Sequence, residues 1–232
     1  MTSTTEHTAQ ALTSGTFYMT VTQSDGSVQE GICTEAQAAR SLATAVRRGY
    51  FVEVLPNGGA NIVRHVPGRG RHVVTLTPTR KARKLTPTAR FDLKLIETRH
   101  RSDFDPETGR IKAGYVNSIP PAASALLMAR GLVTVTGTSV TVSLSARLAM
   151  LAQDHRTETG EPRGYHREVG VIGPWRKGGC VYDRSSVAHC ACHWSYPAED
   201  RDRARHKAHE HRQEVTAAFA RSLADGVIKV PA

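Results

Sequence analysis

β-Branched and aromatic residues interleave with polar ones along Thr16-Phe17-Tyr18-Met19-Thr20-Val21-Thr22, the pattern of a strand. The turn Ser24-Asp25-Gly26 and the run 28–32 complete a hairpin. Thr34 is placed as a helix N-cap, with Gln37 at the capping-box position. A helix follows over 35–48 and stops at Gly49. Strands are expected at 50–55 and 60–66 around the turn Asn57-Gly58-Gly59, and again at 72–76. Pro67-Gly68-Arg69-Gly70-Arg71 between them is a basic, glycine-rich loop. Thr77-Pro78 and Thr86-Pro87 both read as helix starts, with Pro at the first helical position.

Beyond Pro87, Phe91, Leu93 and Leu95 alternate like a strand, whereas Phe91 and Leu95 after a proline start suit a helix; a helix is expected. Residues 103–109 read as a turn-rich loop. Ser118, Pro120 and Pro121 open a helix that runs to Arg130 and ends at Gly131. A short hairpin, 132–135 with 140–144, turns at Gly137, and Ser145 is read as the cap of a helix over 146–153. Residues 1–14 are rich in Thr and Ser and read as a disordered tail. Residues 154–174, with Gly160, Pro162, Gly164, Gly170 and Pro174, read as a linker.

The order helix, Gly, strand, turn, strand and a Leu-Thr or Leu-Ser step occurs twice, over 38–85 and 122–151. The second copy, Leu126-Leu127-Met128-Ala129-Arg130-Gly131-Leu132-Val133 with Val140-Thr141-Val142-Ser143-Leu144-Ser145, resembles the second half of a winged-helix domain. That resemblance implies a helix followed by a β-hairpin wing, in one unit over 15–153 or two at 15–85 and 86–153. The expected fold class is α+β: winged-helix-like units, then a small zinc-stabilised β-hairpin with a long helix over 175–232.

Charge adds a partner class. The 232 residues carry a formal net charge of +10, which favours polyanions, nucleic acid first among them. No run approaches the roughly 20 apolar residues of a membrane span, and the polar start lacks a signal-peptide pattern. A cytoplasmic location is expected, where clustered thiols act as metal ligands rather than disulfides.

The metal chemistry is concentrated near the C-terminus. Cys190-Ala191-Cys192-His193-Trp194 precedes a polar segment with His206, His209 and His211. The spacing C-x-C, thirteen residues, H-x4-H resembles a Cys2His2 zinc finger, in which a Cys pair on a hairpin faces a His pair on a helix. The resemblance implies zinc held by Cys190, Cys192, His206 and His211. The Cys pair is one residue closer than in the usual finger. On an ideal helix His206 and His211 also lie roughly 140° apart, so His209 is an alternative partner for His206. A hairpin 181–182 with 187–189 would place Cys180 across from Cys190 and permit a Cys3His set. Ser195 reads as the cap of the final helix. Ala204, Ala208, His211 and Val215 follow the spacing of one buried helix face. Cys33 reads as a small buried residue.

Arg69 and Arg71 in the glycine loop, and Arg80, Lys81, Arg83 and Lys84 in the run that follows, are the candidate nucleic-acid contacts. No P-loop, dinucleotide fingerprint, Gly-x-Ser-x-Gly or His-Glu-x-x-His pattern occurs. The expected function is therefore non-enzymatic DNA binding by a regulator or accessory factor. Alternatives are a protein–protein adaptor that docks on a DNA-bound enzyme such as a recombinase, and a metal-dependent nuclease, for which Asp154-His155, His166 and His189 stand near the cysteine cluster. The Ala/Arg/Thr/Val-heavy usage and the C-x-C-x-W…His module resemble small proteins of high-GC actinobacteria and their phages or plasmids.

Overall fold

A computed structural model describes residues 16–68, 70–79, 85–99, 101–160, 166–168, 180–182 and 186–228; at 66, 166–168 and 180–182 it describes the backbone alone. The chain is mixed α+β and divides into two units. One runs up to Gln153 and resumes at Thr216; the other is Asp154–Val215.

The first unit begins with β1 (Thr16–Thr22), β2 (Val28–Thr34), α1 (Glu35–Arg47), β3 (Phe51–Val54), β4 (Ala60–Val66) and β5 (Gly70–Pro78). The five strands form one antiparallel sheet in the order β2-β1-β5-β4-β3. Thr34 caps α1 with the expected reciprocal bonds: its hydroxyl accepts from Gln37 N–H, and the Gln37 side chain accepts from Thr34 N–H. The β3–β4 turn needs glycine at residue 59, because a Cβ there would collide with the Leu76 carbonyl on β5.

The unit continues with α2 (Pro87–Thr98), β6 (Ser102–Asp105), β7 (Arg110–Ala113), β8 (Asn117–Ile119), α3 (Pro121–Ala129), β9 (Val133–Thr136), β10 (Ser139–Val142) and α4 (Leu144–Asp154). Its sheet is also five-stranded and antiparallel, in the order β8-β7-β6-β10-β9. The two sheets share a plan. In each, one helix joins the two edge strands, α1 from β2 to β3 and α3 from β8 to β9. In each, the first strand also pairs with the last, β1 with β5 and β6 with β10.

Two apolar clusters stabilise this plan. Phe17, Leu42, Val52, Ile62 and Leu76 form one, and Leu93, Ile111, Ile119, Leu127 and Leu132 form the other. Each fully buried Leu or Ile contributes about 1.5–3 kcal/mol. Helix α4 serves both clusters: Leu144 and Leu148 enter the first, and Ala146, Ala149 and Met150 enter the second. The 16–78 and 87–153 halves therefore share α4. Phe219 and Leu223 from the end of the chain pack on the first cluster.

Several expectations change here. The helix–Gly–hairpin units are present, α1 with β3–β4 and α3 with β9–β10, but each hairpin is part of a five-stranded sheet. Thr77-Pro78 ends β5 instead of starting a helix; Thr79 N–H donates to the Thr16 carbonyl, which extends the β1 pairing. Residues 103–109, expected as a loop, hold most of β6 and the turn into β7. Ser143, not Ser145, caps α4 by accepting from Ala146 N–H. Helix α2 forms as expected, with the Thr86 hydroxyl accepting from Ala89 N–H.

The second unit holds β11 (Thr157–Gly160), β12 (His166–Glu168), β13 (Cys180–Tyr182), β14 (Ser186–Cys190), β15 (Ser195–Ala198) and most of α5 (Arg201–Ala224). Its three-stranded sheet has the order β11-β14-β15. Ala188 and Ala198 meet Ala204 and Ala208 of α5 in a small buried cluster. Four alanines at this contact permit close approach of helix to sheet. Residues 157–160 are thus a strand and not linker; 161–165 and 169–174 lie outside the described residues. Strand β13 pairs with β12, with Glu168 opposite Cys180, so the expected 181–182/187–189 hairpin is replaced by two separate pairings. Ser195 opens β15, and Asp200 caps α5 by accepting from Arg203 N–H. Among the described residues, no helix is long and apolar enough to cross a membrane.

Candidate metal centre

Strand β14 ends at Cys190, and the chain then reverses tightly into β15. Cys190 N–H donates to the Trp194 carbonyl at 2.8 Å, and His193 N–H donates to the Cys190 carbonyl at 2.9 Å. His193 takes φ of 72°, a left-handed conformation rare for a non-glycine residue. This strained turn places Cys190 and Cys192, two residues apart, on one side of the hairpin. Ala191 N–H donates to the Arg156 carbonyl at 3.1 Å, tying the turn to the segment that enters β11.

That tie brings in His155. Strand β11 pairs with β14 so that Thr157 lies opposite Cys190, and His155 sits two residues earlier. Its Nδ1 is 3.8 Å from Cys190 Sγ. From the other side α5 contributes His211, whose Nε2 is 3.4 Å from Cys192 Sγ. The ligand atoms of His155, Cys190, Cys192 and His211 all lie within 4.8 Å of one another. Zinc bonds of about 2.0–2.3 Å to nitrogen and sulfur put tetrahedral ligands roughly 3.3–3.8 Å apart. The Cys190–His155 and Cys192–His211 distances fall in that range. Two thiols and two imidazoles are also the donor types zinc prefers.

The surroundings suit a neutral imidazole and a guarded thiol. Burial pushes His211 below its ordinary pKa, which leaves a ring nitrogen lone pair available at neutral pH. Burial pushes the Cys190 thiol up, and a bound cation would offset that cost by stabilising the thiolate. Trp194 stacks on the His211 ring, and Lys207 on α5 lies 5.6 Å over the Tyr196 ring.

Three of the four expected ligands, Cys190, Cys192 and His211, are brought together. His206 is not: it points out from α5 at 58% side-chain exposure and bonds Glu210 at 3.0 Å. His209 approaches Gln213 and is also outside the group. The expected arrangement of Cys180 across a hairpin from Cys190 gives way to β13 pairing with β12; its side chain lies outside the described residues. The sequence offers His155 as a nuclease residue, and the structure groups it with the ligands instead. No local signal in the sequence singles out His155; the β11–β14 pairing brings it in.

Of the basic residues expected to meet nucleic acid, Arg71 is exposed on β5; Arg69, Arg80, Lys81, Arg83 and Lys84 lie outside the described residues. Cys33 is buried and its thiol is pushed up by burial, as suits a core residue. Comparison with known proteins finds no matching family model, no matching curated protein and no matching solved structure.

Proposed function

We propose that this chain is a non-enzymatic DNA-binding protein, a regulator or accessory factor, whose C-terminal unit is built around one structural zinc. The observation that carries the reading is the convergence of His155, Cys190, Cys192 and His211 from β11, β14, the turn and α5. Four protein ligands complete a tetrahedron and leave no position for a reacting water, the pattern of a structural site. This favours a folding role for the metal over a nuclease role. In such a module the binding energy of the metal is folding energy.

The DNA part rests on charge. Almost all of the +10 excess lies outside residues 154–215, where acids and bases nearly balance. A cytoplasmic setting keeps the two cysteines reduced and ready for metal. The test is metal analysis of the purified chain followed by a duplex-DNA shift assay across salt. One zinc per chain and a log affinity that falls linearly with log salt are expected. Metal-free folded protein, or no DNA binding at low salt, overturns the corresponding half.

A second reading, an adaptor that docks on a DNA-bound enzyme, is favoured by one feature. Tyr115 and Val116 stand fully exposed at the β7–β8 turn, beside Arg99, Arg101 and Lys112. An apolar tip of this kind gains by burial against a protein partner. Weak, salt-independent DNA binding would favour that reading.

A further inference from the structure

Strands β4 and β5 outrun their neighbours. Strand β3 begins at Phe51, opposite Val63, and β1 ends at Thr22, opposite Val73. Among the described residues, the rungs Arg64–His72, His65–Arg71 and Val66–Gly70 therefore pair with no third strand. They form a two-stranded ribbon at one end of the sheet. Residue 70 must be glycine: it has φ of 76°, and a Cβ there would meet Ser24 at 2.9 Å. The β1–β2 turn thus flanks the ribbon on the β5 side.

The β4 side is open. A groove of about 580 Å³ lies there, lined by Gly49, Tyr50, Phe51, Val63, Arg64, His65 and Arg71. Arg47 and Arg48, exposed at the end of α1, lead into it. The elements around the ribbon bring two acidic residues, Glu53 on β3 and Asp25 in the flanking turn. The balance is clearly basic, and the cations are spread along the ribbon rather than gathered on a point. Such a spread suits a line of phosphates better than one small anion.

The ribbon has two unlike faces. His72 is buried at 4% exposure on the face it shares with Arg64. His65 and Arg71 are opposite each other on the exposed face, where Val63 and Val73 follow in the same register. Two strands about 4.8 Å apart with their side chains fill the roughly 12 Å width of a B-DNA major groove.

Resting on the DNA-binding reading above, we infer that the β4–β5 ribbon enters the major groove of duplex DNA. Arg71 and His65 meet base edges there, and Arg47 and Arg48 hold flanking phosphates. An arginine on such a face can bond guanine O6 and N7 together, which gives sequence preference as well as affinity. Backbone contacts from Arg47 and Arg48 add affinity without preference.

The experiment uses the full-length, zinc-loaded chain and a duplex library with a randomised core, with the single-stranded library as competitor. The selected duplex and the unselected pool are then titrated with the parent, Arg71→Ala, Arg47→Ala with Arg48→Ala, and Arg110→Ala, an exposed charge on β7 that serves as control. Circular dichroism and the melting temperature confirm that each variant is folded. Arg71→Ala is expected to lose about tenfold or more on the selected duplex and little on the pool. The Arg47/Arg48 double variant should weaken both equally and lower the salt slope by about one to two units. Arg110→Ala should bind like the parent. The ribbon inference is overturned if folded Arg71→Ala binds like the parent, if Arg110→Ala is equally harmful, if no sequence is enriched, or if single strands outcompete duplex. These outcomes leave general DNA binding standing. A parent that binds no DNA overturns both readings.

Discussion

Trp194 lies flat against His211, with ring centroids 4.3 Å apart and ring planes within 2° of parallel. The contact joins the residue before β15 to the middle of α5. It fixes the imidazole in the orientation that brings Nε2 to Cys192. In the proposed zinc site the indole would do for His211 what an outer-shell hydrogen bond does in many metal sites. Trp194→Ala should weaken zinc binding by about 10–100-fold, read by competition with a chromophoric chelator. Trp194→Phe should recover part of that loss. Equal affinity in the parent and Trp194→Ala would show that packing does not orient the ligand.

The ligand set can be separated residue by residue. His155→Ala and His211→Ala should each lose stoichiometric zinc, and Cys190→Ser and Cys192→Ser likewise. His206→Ala should retain one metal per chain, because that side chain faces Glu210. Cobalt substitution provides the optical check: the visible bands of a tetrahedral two-thiolate site should survive His206→Ala and disappear in His155→Ala. Retention of the bands in His155→Ala would return the fourth place to another donor.

Removing the metal should release β11. The Arg156 carbonyl accepts from Ala191 N–H beside the ligands, so its segment is held by the same turn that presents the cysteines. Trypsin should cut slowly after Arg156 in zinc-loaded protein and quickly after chelation. Amide protection over 16–153 should change little, since its apolar clusters contain no metal ligand. Equal cleavage with and without zinc would argue that the sheet stands without the ion.

Arg147 offers a stability test away from the metal. It is buried, its Nε meets Glu97 at 2.9 Å, and its charge lies near Glu35. Burial raises the pKa of Glu35, while the Leu144 N–H and Arg147 work the other way. Arg147→Met removes the ion-pair partner of Glu97 and a nearby positive charge from buried Glu35, and should cost about 3–5 kcal/mol at neutral pH. Without Arg147 the folded-state pKa of Glu35 rises further above its unfolded value. Protonation then favours the folded form, so the deficit is smallest at acid pH and grows as pH rises through that raised pKa. Denaturant titrations of parent and variant across pH measure it. A deficit independent of pH would mean that packing, rather than charge, dominates the loss.

Where both partners of a local motif lie within one turn the sequence alone was often sufficient, although Thr77-Pro78, the same kind of signal as Thr86-Pro87, ends β5 because it pairs with β1. Thr34 and Gln37 specify the start of α1, because both partners of the capping box lie within one turn. Thr86-Pro87 specifies α2 over a competing strand pattern for the same reason. The stripe Ala204, Ala208 and His211 was legible as one face of α5, and the Cys190–Cys192 pair as a ligand half-set. Strands β6 and β7 were not legible. Ser-Asp-Phe-Asp and Arg-Ile-Lys-Ala carry too few apolar residues to announce a strand, and they gain their place from β10 and from each other. His155 is the sharper case. It precedes Cys190 by 35 residues, and no local rule connects the two. Only the β11–β14 ladder does so, and ladders are chosen by which backbone edges and apolar faces the whole chain can bury at once. Local chemistry therefore named two thiols and one helix face, and the tertiary pairing of strands decided which histidine completes the set.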